Sequence, residues 1–323
     1  MYDLVSIGEM LIDFTPCGTG QNNAPLYLQN PGGAPANVAC AMAKLGRNAT
    51  FVGKVGDDLF GRACRTALEN AGCDSSHLIL SKTFATTLAF VTLSPDGNRD
   101  FSFYRNLTTA DVNLLPEDIP GELLHQGKIF HFGSVSLTQE PSRSTVLETI
   151  KQARDAGAII SYDPNLRPPL WGSLDFAKTT ILEALPLCHL LKISDDEQNF
   201  LFGTEPEEEV GGRLFEEYGI ILTVITKAKQ GCSAFLNGRK FVASAYDVET
   251  IDTTGAGDSF WAGLLLRLLE LNKAPDTLTD EEMENVLRFA NALGSLVTTK
   301  RGSIAAIPTR EEIETCIREG KLL

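Results

Sequence analysis

The sequence lacks the features of secreted, membrane-spanning and disulfide-stabilised proteins. Its N-terminal segment has no cluster of basic residues, and Gly8, Glu9 and Asp13 interrupt the first apolar run. We therefore expect neither a signal peptide nor a membrane span, and we interpret this segment as a first β-strand. The seven cysteines are an odd number without a C-x-x-C pair. Scattered cysteines of this kind are typical of reduced thiols in a cytoplasmic protein.

Positive charge is also scarce. The chain has 28 lysines and arginines against 42 acidic residues, which gives a net charge of -14. This excess of negative charge opposes binding to nucleic acid or to an anionic membrane surface. An anionic ligand must then be held by local hydrogen-bond donors. With 323 residues, of which 43% are hydrophobic, the chain can bury the core of one large domain.

Strand-like and helix-like segments alternate along most of the chain. Short β-branched runs such as "FVGKVG" at 51, "AIISYD" at 158 and "LTVITK" at 222 are separated by amphipathic stretches such as the one from Phe60. This alternation predicts parallel βαβ units in one doubly wound sheet. Ligands of such sheets bind at the carboxyl ends of the strands.

One region departs from this alternation. Thr86 to Arg105 contains two strand-like runs around a turn signal at 95–98, which is typical of a hairpin. The hairpin carries more apolar surface than it could expose alone. Its apolar residues are Leu88, Phe90, Phe101 and Phe103. We predict a small lid sheet, with Phe14 to Gln29 as its partner segment, covered by a substrate or by a second copy of the chain.

The segment "DTTGAGDSFWAG" at 252–263 places a glycine turn before an apolar helix. The backbone N–H groups of Gly255, Ala256 and Gly257 would point outward at the helix N-terminus and form an anion site. Asp258 could be only a helix cap. Alternatively, it is a base whose charged form the helix end favours, which suffices for phosphoryl transfer.

Polar residues also follow the other predicted strands, where they could supply the remaining residues of a ligand site. Each has a structural alternative: a helix cap for Asp13, a close-packed helix after Gly32 and Gly33, or a capping box formed by Ser194 and Glu197. The chain has neither a G-x-x-x-x-G-K-[ST] loop nor the motifs of protein kinases. A kinase of this sequence must have another architecture.

Four motifs carry a resemblance to a family. "GGAPANVA", "GDDLFG", "KISDDE" and "DTTGAGDSFWAG" occur in this order over nearly the whole chain. Together they resemble the ribokinase-type (PfkB) carbohydrate kinases, and "FHFGSVSL" and "DPNLRPPLW" resemble the fructokinases among them. The resemblance implies a Rossmann-like α/β/α sandwich formed by one domain, 1–323, with a small β-sheet lid at about 14–31 and 86–107. It also implies a cytoplasmic enzyme that forms a homodimer through this lid.

The resemblance further implies phosphorylation of a sugar hydroxyl by Mg²⁺-ATP. Asp258 would be the catalytic base, and Gly255, Ala256 and Gly257 the anion hole. The implied sugar-binding residues are Asp13, Gly32, Gly33, Asn37, Arg105, Asn165 and Arg167. The implied nucleotide-binding residues are Lys192, Ser194, Glu197, Thr226, Lys227, Gly231 and Asn291, and Glu197 would order Mg²⁺ through water.

Many members of the family also bind a monovalent cation, which implies a possible K⁺ site. The matching positions are Asp252, Thr254, Val297, Lys300, Gly302 and Ala306. Two positions depart from the family pattern. Ala306 replaces a side-chain oxygen, and Ser194 replaces the asparagine of an N-x-x-E motif.

Three further functions compete with a fructokinase that makes fructose 6-phosphate. A 2-keto-3-deoxygluconate kinase is the nearest, because Arg105 and Arg167 could pair with the carboxylate of a sugar acid. A catalytically silent sugar-binding or regulatory relative would have lost the base or the anion-hole glycines, and both are present. A Rossmann dehydrogenase would need a G-x-G-x-x-G turn, which "SIGEML" does not provide.

Overall fold

A computed structural model describes residues 1–93 and 99–323. The turn predicted at 95–98 and the predicted orientation of the Phe101 side chain lie outside what it describes. The described strands form a nine-stranded and a four-stranded sheet.

The larger sheet has the order β13-β12-β11-β10-β9-β8-β1-β4-β5. Its strands are β1 (Tyr2–Ile7), β4 (Ala49–Gly56), β5 (Leu78–Ser81), β8 (Gly127–Gly133), β9 (Ile159–Asp163), β10 (Leu190–Ser194), β11 (Leu222–Thr226), β12 (Cys232–Leu236) and β13 (Arg239–Ala243). The pairs from β5 to β11 are parallel, whereas β12 and β13 are added antiparallel at one edge. The carboxyl ends of seven strands therefore meet at one edge of the sheet.

Helices cover both faces of this sheet. They are α1 (Ala34–Lys44), α2 (Leu59–Asn70), α3 (Ser142–Asp155), α4 (Leu174–Ala184), α5 (Asp195–Phe202), α6 (Glu207–Tyr218), α7 (Ala256–Leu271), α8 (Asp280–Val297) and α9 (Arg310–Glu319). Successive strand residues point to opposite faces, so Leu4 belongs to the core cluster that includes α1, α7 and α8, while Val5 belongs to the cluster that includes α3, α4 and α6. The predicted α/β/α sandwich is confirmed. Among the described residues, no helix is both long and apolar enough to cross a bilayer.

The smaller sheet, which we call the lid sheet, has the order β3-β2-β6-β7. Its strands are β2 (Leu11–Thr19), β3 (Pro25–Gly32), β6 (Leu88–Leu93) and β7 (Arg99–Tyr104). The hairpin β6–β7 joins β2 through a parallel pair. Aromatic rings from all four strands pack on one face, where Phe90 stacks on Phe14 with ring centres 4.8 Å apart and contacts Tyr27 and Tyr104.

The "GDDLFG" segment joins the two sheets. Asp58 caps α2 by accepting a hydrogen bond from the Gly61 N–H at 2.8 Å, and it also accepts from the backbone N–H of Thr86 at 2.9 Å. Thr86 lies just before β6. The first turn of α2 packs so closely on the end of β4 that a Cβ on Gly61 would lie 1.9 Å from the carbonyl oxygen of Gly56. This position therefore accepts only glycine.

We expect Gly61→Ala to destabilise the fold by ~1–3 kcal/mol, because the added methyl group forces β4 and α2 apart. Gly212→Ala is the matched control. Gly212 also lies inside a helix, but a Cβ there would have no neighbour within 4 Å. Alanine should stabilise that helix by ~0.5–1 kcal/mol. Urea denaturation measures both, and equal midpoints for the two variants would contradict the contact.

Candidate active site

The glycine turn before α7 has the backbone conformation that its sequence predicts. Gly255 has φ 77° and directly precedes α7. A Cβ at this position would lie 2.6 Å from the Cβ of Ser303, so both the conformation and the packing require glycine. Asp252 fixes the turn from the side: its Oδ1 accepts hydrogen bonds from the N–H and hydroxyl of Thr254, and its Oδ2 accepts one from the Gly302 N–H at 3.1 Å. The turn and the 302 loop are thus held together.

Asp258 is buried in the first turn of α7, and neutral amides orient its carboxylate. The Asn37 amide donates to Oδ2 at 2.7 Å, and the Asn165 amide donates to Oδ1 at 3.3 Å. Each amide is itself held. Ser303 donates to the Asn37 oxygen at 3.0 Å, and Arg167 donates to the Asn165 oxygen at 2.6 Å.

Burial, together with the negative charge of Asp163, raises the pKa of Asp258 to about 6. The Asn37 hydrogen bond and the charges of Lys192 and Arg167 act in the opposite direction. We had expected the helix end to favour the charged form and so to leave a weak base. In the structure the pKa of Asp258 is raised instead, because the loss of water around the carboxylate has a larger effect on the pKa than the helix end. A carboxylate with this pKa is ionised at neutral pH and is a better proton acceptor than an ordinary aspartate.

A cavity of about 340 Å³ opens beside Asp258. Five residues that the resemblance assigned to sugar binding line it, and they are Asp13, Gly33, Asn37, Asn165 and Arg167. Lys192 and the turn from Gly255 to Gly257 also line it, as does Phe103 from the lid sheet. Gly32 lies just behind the wall, where a Cβ would be 3.5 Å from Asp13 Oδ2.

Arg105 differs from its predicted position, since it does not line this cavity. Its guanidinium is buried and donates to Asp111 Oδ2 at 2.5 Å, to Thr138 Oγ1 at 2.6 Å and to the carbonyl of Val135 at 3.1 Å. A buried arginine must be paired, and Asp111 supplies the opposite charge. Asp111 belongs to no recognisable motif, so the pair could not be predicted from the sequence.

Glu9 is a cavity residue that the sequence reasoning missed. It follows β1, lines the cavity and accepts a hydrogen bond from the Ser136 hydroxyl at 3.2 Å. Burial raises the pKa of Glu9 to about 7. Its position as an acid after a buried strand was the signal that could have identified it.

A second cavity, of about 250 Å³, lies on the other side of the glycine turn. Its walls are largely apolar, with Val248 and Phe260, and they include Thr226, Gly231 and Asn291, which were assigned to nucleotide binding. Lys227 does not line it. Its ammonium pairs with Glu207 at 2.7 Å and donates to Ser233 at 2.7 Å.

The two cavities share Thr253, Ala256 and Gly257. A ligand in each would therefore meet the other at the N-terminus of α7. This arrangement suits the transfer of an anionic group between two bound molecules, with the backbone N–H groups at the junction and Asp258 on one side.

Comparison with known proteins agrees with this geometry. Residues 1–310 match the pfkB family carbohydrate kinases. The chain belongs to this family. Fructokinase-1 of Oryza sativa subsp. japonica is 42% identical over 314 residues, which cover 96% of each chain. This kinase is thus an ATP-dependent sugar kinase with close fructokinase relatives.

Solved structures of similar proteins show the same fold over nearly the whole kinase. A fructokinase from Xylella fastidiosa with bound ATP superimposes with a TM-score of 0.90 at 31% identity, covering 99% of each chain. A fructokinase double mutant from Vibrio cholerae O395, bound to fructose, ADP and a potassium ion, gives a TM-score of 0.86 at 34% identity and covers 98% of each chain.

Ser194 and Glu197 of the kinase form the capping box that was the structural alternative. The Ser194 hydroxyl accepts from the Glu197 N–H at 3.1 Å, and Glu197 Oε2 accepts from the Ser194 N–H at 2.8 Å. Glu197 Oε1 accepts from the Leu166 N–H at 2.6 Å. Both carboxylate oxygens are therefore engaged by backbone. Within residues 1–93 and 99–323 there is also no group of three metal-binding acidic, histidine or cysteine side chains.

The residues implied in cation binding lie in two loops beside the glycine turn. Asp252, Thr254 and Gly302 are joined by the hydrogen bonds described above. Lys300 pairs with Glu312 at 3.2 Å, and Ala306 is buried without a side-chain oxygen. Val297 is the last residue of α8.

Proposed function

We propose that this kinase is a fructokinase that transfers the γ-phosphoryl group of Mg²⁺-ATP to D-fructose, giving D-fructose 6-phosphate and ADP. The observation that carries the proposal is the position of Asp258 in one of two cavities that meet at the glycine turn. The fructokinase relatives support the choice of sugar.

Asp258 acts as the base in this proposal. Its carboxylate accepts the proton of the sugar hydroxyl while the hydroxyl oxygen attacks the γ-phosphorus and the bond to ADP breaks. Asn37 and Asn165 fix the direction of the carboxylate. The N–H groups of Gly255, Ala256 and Gly257 stabilise the negative charge on the transferred group. An intact base and an intact glycine turn also argue against a catalytically silent relative.

Mg²⁺ would accompany the nucleotide. Magnesium commonly keeps several waters and binds through one or two carboxylates and the substrate phosphates, so a full set of protein ligands is not needed. Glu197 fits this role only through water, because backbone N–H groups already occupy both oxygens. When bound, the ion would neutralise charge on the phosphates.

The charges of the sugar cavity favour a neutral sugar over a sugar acid. Glu9, Asp13 and Asp258 contribute carboxyl groups to the wall. Arg105, which could have bound a carboxylate, is paired with Asp111 and is not among the residues that line the cavity. Arg167 remains at the wall and is the residue that keeps a 2-keto-3-deoxygluconate kinase as the second candidate.

We also propose a K⁺ site at Asp252, Thr254, Val297, Lys300, Gly302 and Ala306. The potassium ion in the Vibrio cholerae relative supports it, as do the hydrogen bonds that hold Thr254 and Gly302 to Asp252. Activity in potassium salts compared with tetramethylammonium salts tests this site.

The proposed assembly is a cytoplasmic homodimer formed through the lid sheet, as part of a single domain 1–323 with a lid at about 14–31 and 86–107. Apolar side chains on the lid sheet are unusually exposed: Tyr104 is 64% accessible, and Leu26, Tyr27 and Leu28 are also exposed. Several exposed apolar side chains on one small sheet are typical of an interface. The seven free cysteines fit a reducing compartment.

We expect Asp258→Asn to lower kcat by ~10²–10⁴-fold, because the amide preserves the shape but cannot accept the proton. Wild-type kcat/KM should fall as the pH drops through about 6, because protonation removes the base. Steady-state kinetics measure both, and ADP binding by calorimetry should be unchanged. Asp155→Asn, at an exposed acid on α3, is the control. Wild-type kcat in the Asp258 variant would contradict the assignment.

We expect fructose to exceed ribose, glucose and 2-keto-3-deoxygluconate in kcat/KM. Because fructose is neutral, its KM should be nearly independent of ionic strength, whereas the KM of a carboxylate substrate should rise as salt screens its attraction to Arg167. A coupled ADP-release assay at two salt concentrations measures this. Preference for 2-keto-3-deoxygluconate would refute the fructokinase and leave the role of Asp258 intact.

We expect Tyr104→Asp to dissociate the dimer, because it places a charge in an apolar interface. Leu174→Asp is the control, since Leu174 is a similarly exposed apolar residue on α4, away from the lid sheet. Sedimentation velocity measures the molecular mass. A dimer in both variants, or a monomeric wild type, would exclude the lid sheet as the interface.

A further inference from the structure

A buried ion pair lies behind the glycine turn. Asp163 ends β9, and Lys192 lies on β10, the neighbouring parallel strand. Lys192 Nζ is 2.7 Å from Asp163 Oδ2, and the two side chains are 7% and 1% exposed. The other carboxylate oxygen, Asp163 Oδ1, is buried and has no hydrogen-bond partner among the residues that the structure describes. Burying two charges is costly, which calls for a reason beyond stability.

The ammonium of this pair reaches the phosphoryl-transfer junction. A Cβ on Gly257 would lie 3.3 Å from both Cε and Nζ of Lys192, and Lys192 lines the cavity together with Asp258. A cation at a helix N-terminus is repelled by the helix dipole. Asp163 offsets this repulsion from behind, and the cavity in front of Lys192 could hold an anionic group.

Asp163 also raises the pKa values of two neighbouring side chains. Burial lowers the pKa of Lys192, but the charges of Asp163, Glu197 and Asp258 outweigh burial and raise it overall. The charge of Asp163 raises the pKa of Asp258 as well. Arg167 is the other cation that acts on Asp258.

We propose that Asp163 is a positioning residue, which holds Lys192 as a protonated donor aimed at the transferred phosphoryl group. The glycine turn supplies neutral N–H donors only, and Lys192 adds the full positive charge that a phosphoryl group requires in transfer. Asp163 acts through Lys192 and does not touch the substrate.

The test compares Lys192→Met, Asp163→Asn and the double variant. The control is Lys54→Met, which breaks a second ion pair of the same 2.7 Å length between Lys54 and Asp118, whose side chains are 9% and 15% exposed and do not line either cavity. We expect Lys192→Met and Asp163→Asn each to lower kcat by ~10²–10³-fold, the usual effect of losing a charged or oxyanion donor. The Lys54 variant should keep its kcat.

Two measurements separate positioning from a structural role. The first is nucleotide affinity without sugar: β,γ-imido-ATP binding should weaken in Lys192→Met and in Asp163→Asn, while ADP binding should not. The second is the pH profile of kcat/KM for Asp163→Asn. Because the charge of Asp163 raises the pKa values of both Asp258 and Lys192, its removal should move the acidic and the basic limb to lower pH.

The double variant covers the case in which Asp163→Asn alone fails to fold. It leaves no uncompensated charge, so it should recover thermal stability, yet its kcat should stay at the level of Lys192→Met. Wild-type kcat in the double variant, or unchanged pH limbs in a folded Asp163→Asn, would overturn the proposal.

The choice of fructose in the kinetic assays rests on the proposed function, but the binding assay does not. If the wild type fails to phosphorylate fructose, the fructokinase assignment is wrong. If Lys192→Met binds β,γ-imido-ATP and ADP with the wild-type ratio, the role of Lys192 and Asp163 is wrong.

Discussion

The site depends on one constraint: a carboxylate must stay ionised in a place from which water is excluded. Asp258 meets it with two neutral amides, each fixed by a further hydrogen bond, and with charges that act from a distance. A direct ion pair would have stabilised the carboxylate so strongly that it could no longer take up a proton. The amides orient the group while leaving it reactive.

The parallel sheet makes this arrangement possible. Glu9 follows β1, Asp163 ends β9, Lys192 lies near the end of β10, and Thr226 ends β11. None of these residues is close to another in sequence, and each would be an ordinary polar residue elsewhere. They converge because the carboxyl ends of neighbouring parallel strands share one edge, against which α7 directs its N-terminus.

Alternation of segments was enough to predict the doubly wound sheet, and the glycines at 255 and 257 were enough to predict a turn before α7, because both depend on local chemistry. The sequence did not allow us to predict which side chains pair with one another in the folded chain. The resemblance assigns Arg105 to the sugar, and its pairing with Asp111 could not be predicted because Asp111 carries no motif. The raised pKa of Asp258 depends on the depth of its burial and on Asp163, which only the packed structure shows. Lys227 likewise pairs with Glu207 and does not line the second cavity.

The lid sheet and the catalytic centre are separated by a single residue. β3 ends at Gly32, and α1, which carries Asn37, begins at Ala34. Gly33 between them has φ 131° and packs against the carbonyl of Glu9 so closely that a Cβ would lie 2.4 Å from it. One tightly packed residue therefore links the lid sheet to α1, which leaves little freedom of movement between them. A displacement of β3 would therefore move Asn37, whose amide orients the Asp258 carboxylate.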